Sequence, residues 1–155
     1  MENNQILITQ KDFNKLKNEV KKVQEDKKQI IFTSEDDELN RKVIEKLDID
    51  ILLLKLNQRK DFQKQRNSGF NQVMAKIMKK KSITLGINLD EIIEETNLKK
   101  KAEILARIKQ DIKICNKNKV NMKFIAEKEK NQRNKHDLKA LGIILGMPTW
   151  MTKQF

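Results

Sequence analysis

The chain has 155 residues, with 34 Lys+Arg against 22 Asp+Glu for a formal net charge of +12. That length sets one domain with a sizeable core, and the charge excess points to a polyanionic partner, either nucleic acid or an acidic membrane surface. No apolar run nears the roughly 20 residues of a membrane span, no N-terminal segment reads as a signal peptide, and one cysteine excludes an internal disulfide or a cysteine-based zinc site, so a soluble, cytoplasmic protein is expected.

Strand-like and helix-like segments alternate. QILIT (5–9) is a short apolar run, followed by Phe13, Leu16, Val20 and Val23 at helical spacing. QIIFT (29–33) reads as the next strand. Ser34 is the expected N-cap of the helix after it, with Asp36 and Asp37 in its first turn and an end near Lys46. DIDILLLKL (48–56) has the continuous apolar character of a strand buried on both faces. After the polar stretch 57–67, Phe70, Val73, Met74, Ile77 and Met78 trace an apolar helical stripe.

SITLGIN (82–88) is a fourth strand, followed by a short helical turn, DEIIEE (90–95). The longest helix runs from about Leu98 to Lys117, with Cys115 on its apolar stripe, where it reads as a small buried hydrophobe. NMKFIAE (121–127) is a fifth strand. A basic loop, 128–136, precedes a final helix from about Asp137 to Leu145, stopped by Gly146 and Pro148. Such alternation implies an α/β fold: a mainly parallel sheet of about five strands with covering helices. Five units fall short of a complete eight-stranded barrel of about 250 residues, which leaves an open or partial barrel, or a small doubly wound sheet.

Catalytic machinery is sparse. His136 is the one histidine, and four glycines spell neither a GxGxxG nor a Walker pattern. The carboxylate groups at Glu35–Glu38 and Glu94–Glu95 read as solvated helix ends. Cations at loops beyond strand ends are the stronger signal, because ligands of α/β sheets gather there. The loop after the third strand carries Arg59, Lys60, Lys64 and Arg66, then Asn67, Ser68 and Gly69, read as a capped helix start with free N–H groups for phosphate. The loop after the fifth strand adds Lys128, Lys130, Arg133 and Lys135, on the same expected rim. Arginines number only five (41, 59, 66, 107 and 133), which weakens the nucleic-acid reading. Phe62 is the aromatic placed to meet a base or a partner, and Trp150 and Phe155 are placed to anchor the C-terminal tail.

The run QRNSGFNQVMAKIMKKKSITLGINL (65–89) resembles the protein component 3 family of archaeal and eukaryotic ribonuclease P. That family shows a basic residue, Asp-Ser-Gly-Ile, an amphipathic helix and an apolar strand ending near Asn. Arg66, Ser68, Gly69, Val73, Ala75, Lys76 and Asn88 match without a gap, while Asn67, Gln72 and Glu127 depart from the pattern. LDIDILLL (47–54) and DLKALGIILGM (137–147) are similar to flanking family segments in the same order.

The resemblance implies a TIM-barrel-like fold related to the polymerase-and-histidinol-phosphatase (PHP) enzymes, shortened at the N-terminus and without a working metal site. It also implies a non-catalytic subunit of ribonuclease P. In such a complex the RNA subunit, with bound magnesium, removes the 5′ leader of pre-tRNA. The implied partners are the ribonuclease P RNA and protein component 2, paired as a dimer of heterodimers, with pre-tRNA met indirectly. A generic α/β RNA-binding module and a diverged metal-dependent phosphoesterase are the alternatives.

Overall fold

The computed structural model describes residues 4–155. In chain order these form β1 (Gln5–Ile8), α1 (Phe13–Glu25), β2 (Gln29–Phe32), α2 (Asp37–Lys46), β3 (Ile51–Leu54), α3 (Gln72–Lys81), β4 (Thr84–Asn88), α4 (Leu89–Glu94), α5 (Leu98–Asn118), β5 (Met122–Ile125), a single 3-10 turn (Glu129–Asn131), α6 (Lys135–Leu145) and α7 (Thr149–Thr152). All five strands are parallel and lie in the order β1-β2-β3-β4-β5. The five expected strands are present. Each is shorter than its apolar run, most of all β3, which keeps four residues of 48–56.

Right-handed crossovers between strands in this sequential order carry the connecting helices to one face of the sheet. The burial follows that topology. Alternate strand residues such as Phe32, Leu52, Leu54, Leu85 and Ile87 join Leu16, Val43, Met74, Met78, Ile108 and Ile112 of the helices in the main core. The intervening residues Ile31, Ile51, Leu53 and Ile125, with Leu7 partly buried, form a second cluster on the opposite face. Both faces of the sheet are therefore apolar, and β3 is buried throughout, as parallel strands are. Gly86 of β4 serves the second cluster: a Cβ there would stand 3.0 Å from both Ile51 Cγ2 and Leu53 Cδ1.

Several helix starts differ from expectation. Asp36, not Ser34, caps α2, accepting from the N–H groups of Glu38 and Leu39. The Ser34 hydroxyl instead accepts from the Asp36 N–H. The cap of α3 is Asn71, whose Oδ1 accepts from the N–H groups of Val73 and Met74. The helix begins at Gln72 rather than near Ser68, so Phe70 is a buried residue ahead of it and Val73 is half exposed. Replacing this cap, Asn71→Ala, is expected to lower stability by about 1 kcal/mol in urea unfolding; the same change at Asn134, which caps α6, serves as a reference of similar size.

Leu98, the apolar residue that starts α5, is 82% exposed. Cys115 is fully buried on that helix, and burial pushes its thiol pKa well up, which suits packing and not nucleophilic work. The C-terminal tail is anchored as expected: Trp150 Nε1 donates to Asn116 Oδ1 at 3.0 Å, and Phe155 meets Phe124 edge-on. Among the described residues, no helix is long and apolar enough to cross a membrane.

Candidate nucleic-acid interface

The loop between β3 and α3 is built inward. The Arg59 side chain is 10% exposed and forks onto Asp37, with Nη1 donating to Oδ2 at 2.9 Å and Nη2 to Oδ1 at 2.8 Å. Because Asp37 lies in the first turn of α2, this pair ties the loop to that helix. Gly69 lies against the pair with a φ of +73°, and a Cβ there would crowd Asp37 Oδ1 and come within 2.6 Å of Arg59 Nη2. The glycine serves close packing of an ion pair.

Asp61 is the hub of the loop. Its carboxylate accepts from the Asn67 N–H at 2.9 Å, from Arg107 Nε and Nη2 at 3.2 and 3.0 Å, and from Arg66 Nη1 at 2.8 Å. The Asn67 N–H, then the two guanidinium groups, hold the Asp61 pKa below the usual carboxylate range, against the opposing effect of desolvation. Asn67 Oδ1 accepts from the Gly69 N–H, and its Nδ2 donates to Lys60 O. Ser68 is buried; its Oγ donates to Asp111 Oδ1 at 2.5 Å and accepts from the Phe70 N–H. The N–H groups of Asn67, Gly69 and Phe70 are thus all engaged within the fold. The phosphate cradle expected at Asn67–Ser68–Gly69 is already filled by the protein's own side chains, and the free helix start expected there lies three residues on.

Two residues that sequence reasoning missed hold this arrangement. Arg107 of α5 is 2% exposed and also donates to Leu56 O at 3.0 Å and to Arg59 O at 2.9 Å. Asp111, one turn later, is 2% exposed, and burial pushes its pKa up to about 8 despite the Ser68 hydroxyl and the Arg59 charge. The available signal was position: both interrupt the stripe of Ile104, Ile108, Ile112 and Cys115 that α5 buries.

Beyond the strand ends lies a crevice of about 590 Å³, lined in part by Lys55 and Arg59 from the first loop and by Glu127 and Lys128 from the second. The two loops share a rim as expected, but the rim is acidic. Glu35, Asp90, Glu91, Glu94, Glu95 and Glu127 outnumber Lys55, Arg59 and Lys128. Glu94 binds Lys128 and Lys130 and accepts from Asn131, and these bonds lower its pKa to about 2. Glu91 accepts from the Leu56 N–H, and desolvation raises its pKa. Asp90 is satisfied by the N–H groups of Glu127 and Lys128 and by Asn131 Nδ2. Among the described residues, no group of three His, Cys, Asp or Glu side chains is arranged to hold a metal ion.

The predicted cations therefore divide. Arg59, Arg66, Lys128 and Lys130 are committed to carboxylates, and Arg133 Nη1 donates to Lys130 O and Gln132 O of its own loop. Lys60, Lys64 and Lys135 are exposed and make no ion pair among the described residues, and Phe62 is 58% exposed beside Lys60 and Lys64 in the chain.

No family model and no curated protein matches this chain. Its fold does match a chain in the cryo-EM structure of archaeal ribonuclease P with mature tRNA, with a TM-score of 0.75 at 21% identity. The match covers 96% of this chain and 62% of that one, so this chain spans less than two thirds of its length. At that identity the likeness is one of fold: the sequential parallel α/β sheet described above is shared with a protein chain of an archaeal ribonuclease P complex.

Proposed function

We propose that this chain is a protein subunit of ribonuclease P, of the component 3 type, which supports RNA-catalysed removal of the 5′ leader from pre-tRNA together with protein component 2. The observation that carries the reading is the fold match along 96% of the chain. The run 65–89, which resembles the component 3 family, covers the end of the loop, α3, β4 and the first residue of α4. In this reading the sheet is a partial barrel of the PHP-related kind, and the chemistry belongs to the RNA subunit and its magnesium. Arg59, Arg66, Asn67, Ser68 and Gly69 build the loop, and Lys60, Lys64 and Phe62 are what it presents to RNA. Lys135, at the start of α6, is a further exposed cation offered to RNA, while Lys128, Lys130 and Arg133 shape the rim.

The test is pre-tRNA cleavage by the matching catalytic RNA at moderate magnesium, with this protein and its component 2 partner added or withheld. Stimulation that requires both proteins is expected. Absence of stimulation, with both proteins folded and bound to each other, would reject the assignment.

A further inference from the structure

The strand-end rim is acidic and its cations are largely spent, yet the chain carries a net charge of +12. The unspent charge collects elsewhere. α3 packs directly against α5. On α3, Lys76, Lys79 and Lys80 are exposed; on α5, so are Lys109, Lys113 and Lys117, at i, i+4 and i+8. Among the described residues, none of these six makes an ion pair. Residues 72–81 contain no acidic side chain, and over 104–119 the one acid, Asp111, is buried under the helix.

Lysines in a last helical turn are commonly explained by the helix dipole. That accounts for Lys79, Lys80 and Lys117, and Lys81 is explained further by its bonds to Ile44 O of α2 and to Leu47 O just past its end. It does not account for Lys76, Lys109 or Lys113, which lie inside their helices.

We infer that the paired outer faces of α3 and α5 form a docking surface for the phosphate backbone of double-helical RNA. Packed helices stand about 8–10 Å apart, and lysines four residues apart repeat every 6 Å or so along each. Two such rows present a grid of mobile cations to the closely spaced phosphates of an RNA strand. Recognition of this kind reads shape and charge, not base sequence. An anionic bilayer is the poorer fit, because interfacial helices bury an apolar face and the exposed side chains over 72–81 and 104–118 are lysines with Gln72 and Asn116, Val73 being the one apolar residue among them. The inference deepens the ribonuclease P reading and rests on it for the identity of the RNA.

The experiment titrates the whole protein with an RNA duplex of arbitrary sequence over a range of salt. It compares Lys76/Lys113/Lys117→Gln with an equal charge loss on α1, Lys15/Lys17/Lys21→Gln. The face variant is expected to flatten the dependence of log K on log salt by about one unit for each phosphate-binding lysine replaced, close to three in all, and the α1 variant by less than one. Equal losses in the two variants, or no loss in either, would overturn the inference. Binding to phosphatidylserine vesicles but not to the duplex would overturn it as well. The two readings fail separately. Duplex binding through this face without stimulation of pre-tRNA cleavage sinks the ribonuclease P assignment alone, and undiminished stimulation by the face variant sinks the docking surface alone.

Discussion

Arg107→Met is expected to unfold at distinctly lower denaturant than the parent protein, with a loss of about 3 kcal/mol. The guanidinium is nearly inaccessible and serves three acceptors at once: the carbonyls of Leu56 and Arg59 and the carboxylate of Asp61. Methionine keeps much of the volume but none of the donors. Leaving a buried partner unpaired costs roughly 3–5 kcal/mol; the lower end applies because Asp61 keeps 27% of its side chain in solvent and retains Arg66. Arg107→Lys is expected to recover only part of the loss, since one ammonium cannot span acceptors arranged for a planar fork. The damage should also be local. Amide exchange should accelerate first at Asn67 and Gly69, whose N–H groups are held by Asp61 and by Asn67 itself. A midpoint shift worth less than about 0.5 kcal/mol, the usual range for surface changes, would contradict this account.

That network also shows where the chain was readable and where it was not. The five strands were legible because strands of a parallel sheet, buried on both faces, are continuous apolar runs, as ILLL of β3 is. The division into two clusters was not, because the same run supplies Leu52 and Leu54 to one face and Ile51 and Leu53 to the other. Strand lengths were overestimated for a related reason: Ile49 and Leu56 are buried but lie outside the hydrogen-bonded ladder.

The start of α3 was misplaced because Asn67, Ser68 and Asn71 all have capping chemistry. What decides among them is a hydrogen bond across 43 positions, Ser68 to Asp111, which leaves Asn71 to cap. Counting cations in the loop overstated its free charge for the same kind of reason. Asp37 is 22 positions from Arg59, and no local pattern announces that they meet. The charge on α3 and α5 lies in lysines opposite the buried residues of each helix, and its freedom from acidic neighbours is a property of the fold.

Asp111→Asn is expected to change how stability depends on pH. The carboxyl of Asp111 is buried against Ser68 on α5, with Arg59 near enough to favour its charged form only in part, and its pKa rises from 3.8 to about 8. The folded protein therefore keeps this proton through neutral pH, while the unfolded chain releases it near pH 4. Between those values the folded state binds more protons than the unfolded state, so raising the pH from about 4 to about 8 removes stability, and above about 8 the effect levels off. At about 1.4 kcal/mol per pH unit, the span corresponds to on the order of 5 kcal/mol.

Asparagine keeps the shape and an acceptor for the Ser68 hydroxyl but cannot ionise. The variant should be more stable than the parent at pH 8–9, and the advantage should shrink steadily toward pH 4. Asp61 and Glu94 act in the opposite sense. Their lowered pKa values give stability that is lost as the solution is acidified, and both proteins share that loss, so the difference between the two unfolding curves isolates Asp111. Urea midpoints at four or five pH values suffice. Parallel profiles for parent and variant would mean that the buried carboxyl is not holding a proton, and that the loop is secured by Arg107 and Asp61 alone.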